Sequence, residues 1–193
     1  SAIEKAELIL KEIRELETKR NNKITDPLFS EIPIPIPINV GKISSGDWPS
    51  SVPDIAMIEG RMGVAPDETM ENAKQEMEQA IQKVASLDPW LKENQPVVEW
   101  FGARWLPGDI EVDHDLVTVL TESFIEIRGT RPVIEASPWA TDGGILNKIG
   151  GVPVVVFGPG VTQLAHDANE YIKLKDVYEV AEIIAVAIMK WCG

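Results

Sequence analysis

The feature that most constrains this chain is an order of elements that leaves its sheets short of strands. Over residues 1–20, Ile3, Ala6, Ile9, Leu10, Ile13 and Leu16 recur at spacings of three and four among Glu, Lys and Arg. That is the period of an amphipathic helix, and it stops at Asn21 and Asn22. Residues 39–48 and 52–64 read as strands, with a turn over 46–51. A helix over 69–87 lines up Met70, Ala73, Met77, Ala80, Ile81, Val84 and Leu87 until Asp88 and Pro89 stop it. Residues 97–105 read as a third strand, closed by Pro107 and Gly108. The resulting α-β-β-α-β order is a ferredoxin-like βαββαβ unit without its first strand. That strand would lie in the middle of the sheet, so the order predicts a domain entered partway through.

Between the first helix and the first strand, Ile32, Ile34, Ile36 and Ile38 alternate with Pro33, Pro35 and Pro37. Each Pro lacks an N–H, which bars the run from the centre of a sheet. It can run extended with its four Ile side chains on one face.

Beyond residue 110 the character changes. Asp113 or Asp115 can cap a helix running to Arg128, ended by Gly129. Residues 132–136 read as a short strand, 142–149 as a brief helix, and 152–157 as an apolar strand buried on both faces. Asp176 can cap a last helix with Val177, Val180, Ala181, Ile184, Ala185, Ile188 and Trp191 inward. This α-β-α-β-α order is one part of a layered α/β domain. The fold class is thus α/β, with an incomplete α+β unit over 1–110 and a partial α/β domain over 111–193.

Composition removes whole classes of function. With 31 Asp and Glu against 18 Lys and Arg in 193 residues, the chain carries a formal charge of −13. A phosphate backbone is bound by neutralising it, so nucleic acid is an unsuitable partner. No apolar run approaches the ~18 residues that a membrane span needs, and residues 1–19 do not resemble a signal peptide. The expected location is the cytoplasm. The single cysteine, Cys192, excludes an internal disulfide and a multi-cysteine zinc site. It has no His close in sequence and reads as inert.

Few residues here bear chemistry. His166 lies in a glycine-bearing loop just past the apolar segment 152–157, where α/β sheets place ligands. Backbone N–H groups of Gly158 and Gly160 could face an anion or a carbonyl oxygen there. Asp142 reads either as a helix cap or, with Gly143, as part of a second loop beside that of His166. Arg61, ending an apolar strand, can grip a carboxylate with two parallel bonds or simply sit exposed. His114, between Asp113 and Asp115, reads as a capping or solvated residue.

Taken in order, the segments 41–54, Glu59-Gly60-Arg61, Pro66-Asp67-Glu68-Thr69, Thr141-Asp142-Gly143, Gly158-Pro159-Gly160, Ala165-His166 and Asn169-Glu170 resemble the C-terminal half of the zinc-dependent amidohydrolases and exopeptidases. Acetylornithine deacetylase, succinyl-diaminopimelate desuccinylase, aminoacylase and carboxypeptidase G belong to that family. The resemblance implies that 1–110 is a lid that mediates dimerisation and that 111–193 closes a catalytic α/β domain. It implies a homodimer through the lid and two zinc ions, with His166 the last metal ligand. It places Arg61 on the substrate carboxylate and Asp142, Gly143, Gly158 and Gly160 along the pocket. Ser50 stands where many members carry Asn.

The family's His-x-Asp motif, bridging Asp, paired Glu and lid His find no counterpart in the chain. A zinc site needs several ligands and an open position for water. The expectation is therefore a fragment of an N-acyl amino acid hydrolase that is inactive and zinc-free on its own. The rival expectation is a non-catalytic dimerisation or small-molecule binding module.

Overall fold

The computed structural model describes residues 1–165 and 167–193. It divides into two compact units, Ser1–Pro107 with Ala136–Thr141, and Gly108–Glu135 with Asp142–Gly193. Together they are mixed α/β, and among the described residues the sheet is a single antiparallel pair.

The first unit opens with helix α1 (Ala2–Asn21), then strands β1 (Ile38–Ser45) and β2 (Ala56–Met62), helix α2 (Met70–Leu87) and the short α3 (Pro89–Glu93). Both long helices follow the sequence periodicity along their middle turns, whereas Ile3 and Leu87, at the ends of the two apolar faces, are exposed. Ile13 and Leu16 of α1, Ile38 of β1, and Met77, Ala80 and Ile81 of α2 form one buried cluster. Val40, Met62, Val98 and Trp100 pack around it. The Thr69 side chain accepts from the Asn72 N–H to start α2, and Asp88 accepts from Trp90 and Leu91 to start α3. Lys5 reaches Asp88 at 2.7 Å, and this hydrogen bond holds the Asp88 carboxyl below its ordinary range.

α1 also organises the Ile-Pro run through its polar side chains. Asn21 donates to the Ile36 carbonyl at 3.0 Å and accepts from the Ile36 N–H at 2.7 Å. Glu17 accepts from the Ile38 N–H at 2.6 Å, and Arg14 donates to the Ile38 carbonyl at 2.7 Å. The run does not present four Ile side chains alike: Ile36 and Ile38 are buried, whereas Ile34 is 48% exposed. Clamping at alternate residues bends the segment and turns Ile36 into a small cluster with Phe29 and Ala65.

The second unit contains α4 (Asp115–Arg128), α5 (Gly143–Lys148) and α6 (Leu174–Cys192). α4 is capped by His114, whose Nδ1 accepts from the Leu116 N–H at 3.0 Å, and it ends on Gly129 in the left-handed region. Neither Asp113 nor Asp115 is the cap. α6 starts at Leu174, so Asp176 lies in its first turn and pairs with Arg128 at 3.0 Å instead of capping. Lys190 to Glu126 at 3.0 Å joins the same two helices further along.

Three segments read as strands, 97–105, 132–136 and 152–157, belong to no ladder in the described residues. A strand is defined by its neighbour's hydrogen bonds, and β1 and β2 bond only to each other. Side-chain contacts hold two of the three segments. Trp100 packs on the first core and donates to Glu78 at 2.8 Å, and Phe157 meets Phe124 of α4 edge to face at 6.4 Å. The inward face read for α6 is also revised. Val180 and Ile183 are buried, but Ile184, Ile188 and Trp191 are exposed, because α4 covers one side of the helix. Among the described residues, no helix is long and apolar enough to cross a membrane.

Candidate functional site

The β1–β2 hairpin carries Arg61. Its register pairs Asn39 with Arg61, Lys42 with Glu59, and Ser44 with Met57, with an irregularity between Val40 and Lys42. Side chains two apart on a strand share a face. Ile38, Val40, Ile58 and Met62 therefore turn toward the helices, and Met57, Glu59 and Arg61 turn away. Gly60, between Glu59 and Arg61, has a steric reason to be glycine. A Cβ there would stand 2.2 Å from the Asn39 carbonyl oxygen. Gly60 thus lets the two strands close up where Arg61 faces Asn39.

Arg61 is exposed, and its side chain makes no ion pair or hydrogen bond within the described residues. Its neighbour Glu59 is bound to Lys42 at 2.5 Å. On this face Lys42 offsets Glu59 and leaves Arg61 as the uncompensated cation. Opposite charges directly across a ladder are readable from sequence once the register is known, but the strand pattern alone does not single out Lys42.

The other sequence-predicted residues lie in the second unit. Asp142 stands at the N-cap position of α5, where its carbonyl accepts from the Ile145 and Leu146 N–H groups at 3.0 and 3.1 Å. Gly143 is the first residue of that helix. Gly158 and Gly160 lie in the turn after 152–157, and Gly160 has φ +118°. Space around both glycines is open, so a Cβ at either would meet nothing within 4 Å. At Gly160 the backbone conformation, not crowding, demands glycine. His166 lies outside the described residues. Two shallow grooves, one beside Phe29 and Pro33 and one between α1 and α2, contain none of these residues.

Zinc finds no ready centre here. Among the described residues, no group of three or more His, Cys, Asp or Glu gathers closely enough to hold a metal ion. The many carboxylates instead meet cations one at a time or in pairs. Arg20, 5% exposed, binds Glu68 and reaches Glu76 at 2.5 Å, while also donating to the Gly63 carbonyl at 3.0 Å. Lys23 joins Glu76 at 2.8 Å, and this hydrogen bond, reinforced by Arg20, holds the Glu76 carboxyl below its ordinary range. The periodicity of α1 assigns such charges to a solvated face. The burial of Arg20 appears only when Glu76 of α2 and Glu68, just ahead of that helix, meet it.

Comparison with known proteins places this geometry. Residues 30–190 match peptidase family M20/M25/M40. A Bacillus subtilis N-formyl-4-amino-5-aminomethyl-2-methylpyrimidine deformylase is 32% identical over all of this chain and 46% of its own length. The protein of the same name from Halalkalibacterium halodurans is 28% identical over the same shares. An acetylornithine deacetylase from Myxococcus xanthus is 25% identical over 81% of this chain and 38% of its own. The chain spans about half the length of the two deformylases it matches throughout. With residues 30–190 matched, most of its length, the chain belongs to peptidase family M20/M25/M40.

Proposed function

We propose that this chain is part of an amide hydrolase that removes a small N-acyl group, and that the group is formyl on an aminopyrimidine. The observation that carries the choice is coverage. The two relatives named as pyrimidine deformylases match the chain from end to end, whereas the acetylornithine deacetylase matches 81% of it. In this reading the first unit is the lid of a ferredoxin-like domain and forms a homodimer. The second unit closes a catalytic α/β domain, in which Asp142, Gly143, Gly158 and Gly160 line the pocket. A divalent metal, zinc in the first instance, belongs to the whole protein, with His166 as the ligand from this chain. The described residues gather no metal centre of their own, so no step is assigned through it.

A second reading keeps an N-acyl amino acid as substrate. It is favoured by the exposed, unpaired Arg61, whose guanidinium matches a carboxylate. Product analysis on the whole protein separates the two. Formate released from the N-formylated aminopyrimidine, well above acetate released from N-acetylornithine, is the expected result. Acetate without formate would overturn the deformylase reading.

A further inference from the structure

The outward face of β2 presents three different chemistries in a row. Met57 is 56% exposed, Glu59 carries a carboxylate, and Arg61 carries an unpaired cation. Alternate residues on a strand stand ~6.5 Å apart, within reach of one small planar molecule for side chains of this length. Arg donates only, and an ionised Glu accepts only. An aminopyrimidine offers the complement, an exocyclic NH₂ that donates beside a ring nitrogen that accepts. A substrate's carboxylate group offers acceptors alone, so that group would suit Arg61 and be repelled by Glu59.

We propose that Glu59 is a specificity residue, selecting an aminopyrimidine over a carboxylate-bearing substrate by accepting from the exocyclic amino group. Arg61 donates to the adjacent ring nitrogen, and Met57 lies against the ring or its methyl substituent. This rests on the pyrimidine reading given above. Lys42 holds Glu59 in the free chain, but with Lys42 66% and Glu59 33% exposed the pair is a surface one. Such pairs contribute little, so a ligand donor can replace the ammonium cheaply. Gly60 supports the arrangement by letting the strands close up between the two side chains.

The test is a titration of the full 193-residue chain, followed by NMR at the Met57 methyl and the 57–61 amides. The probes are 4-amino-5-aminomethyl-2-methylpyrimidine, its N-formyl derivative and N-acetylornithine. The pyrimidines are expected to shift these signals. Glu59→Gln, isosteric but uncharged, should weaken the effect about tenfold, the loss of one charge-assisted hydrogen bond. Lys42→Gln, which frees Glu59, should bind at least as tightly as the parent, an outcome that a merely structural ion pair would not give. Pyrimidine binding that is indifferent to Glu59→Gln overturns this proposal and leaves the deformylase reading standing. Shifts from N-acetylornithine alone overturn both. Formate release from the whole protein with no pyrimidine shift on this face overturns only the role of Glu59.

Discussion

Asn21 and Ile36 are joined by a reciprocal pair of hydrogen bonds, amide to carbonyl at 3.0 Å and N–H to amide oxygen at 2.7 Å. Between Pro35 and Pro37, Ile36 has the sole N–H of its tripeptide, and a helix side chain takes it up. The last residue of α1 thereby fixes how the chain enters β1.

Asn21→Ala should therefore cost more than an ordinary change at a helix end. It leaves a half-buried peptide with neither partner, a loss of about 1–3 kcal/mol. Urea denaturation would show a lowered midpoint at unchanged slope. Asn22→Ala, one residue further on, serves as the control and should shift the midpoint by less than about 0.5 kcal/mol.

Arg20 joins Lys23 in the ion-pair cluster that gives the first unit an acid-sensitive contribution. Arg20→Met strands Glu68 and Glu76 beside an apolar side chain, and breaking a buried pair in this way costs about 3–5 kcal/mol. The carboxyl of Glu76 lies below its ordinary 4.5 in the folded chain, chiefly through Lys23 and then Arg20. Its contribution is thus fully present above pH 4.5 and is lost as pH falls through the lower, folded value. Glu76→Gln should be less stable than the parent at pH 7, and the gap should close on acidification below about 4.5. A constant gap across that range, measured by chemical denaturation at each pH, would remove Glu76 from the account.

His114 caps α4 with an imidazole nitrogen in a place where carboxylates and hydroxyls are the better acceptors. His114→Ala should destabilise the second unit by about 0.5–2 kcal/mol, and His114→Asp should restore or exceed the parent stability. Thermal unfolding of the three proteins at pH 7 checks the order.

How much of this was legible beforehand depends on the range of the interaction involved. Ile13 and Leu16 on α1, and Met77 and Ile81 on α2, are buried as their spacing requires, because a helix face is written in residues three and four apart. Gly129 ends α4 for an equally local reason. Residues 97–105 and 152–157 have strand composition but form no ladder, since pairing depends on a neighbour that no local pattern encodes. Ile184 and Trp191 show the same limit on α6: periodicity says that they are apolar, and only packing decides whether anything covers them. For the candidate site, the Glu59-Gly60-Arg61 motif was readable. The pairing of Glu59 with Lys42 and the reason for Gly60 required the register.

The roles assigned to His166 and Arg61 are best separated in the whole protein, where the family chemistry can be measured. His166→Ala should abolish or nearly abolish amide hydrolysis and lower metal content, because a lost ligand damages the centre that activates water. Arg61→Ala should behave otherwise. It removes an exposed cation that holds nothing else in the described fold, so stability should change by less than about 0.5 kcal/mol. Its effect should fall on KM, by about 10- to 150-fold for a substrate that it grips with a bidentate charge-assisted contact of about 1.5–3 kcal/mol. A carboxylate-bearing substrate and an aminopyrimidine then give different patterns. Loss confined to N-acyl amino acids would return Arg61 to the carboxylate role, whereas a comparable loss on the formylated pyrimidine would make it a donor to the ring. Unchanged metal content and turnover in His166→Ala would withdraw the metal assignment and leave the family membership, which rests on the match over residues 30–190, untouched.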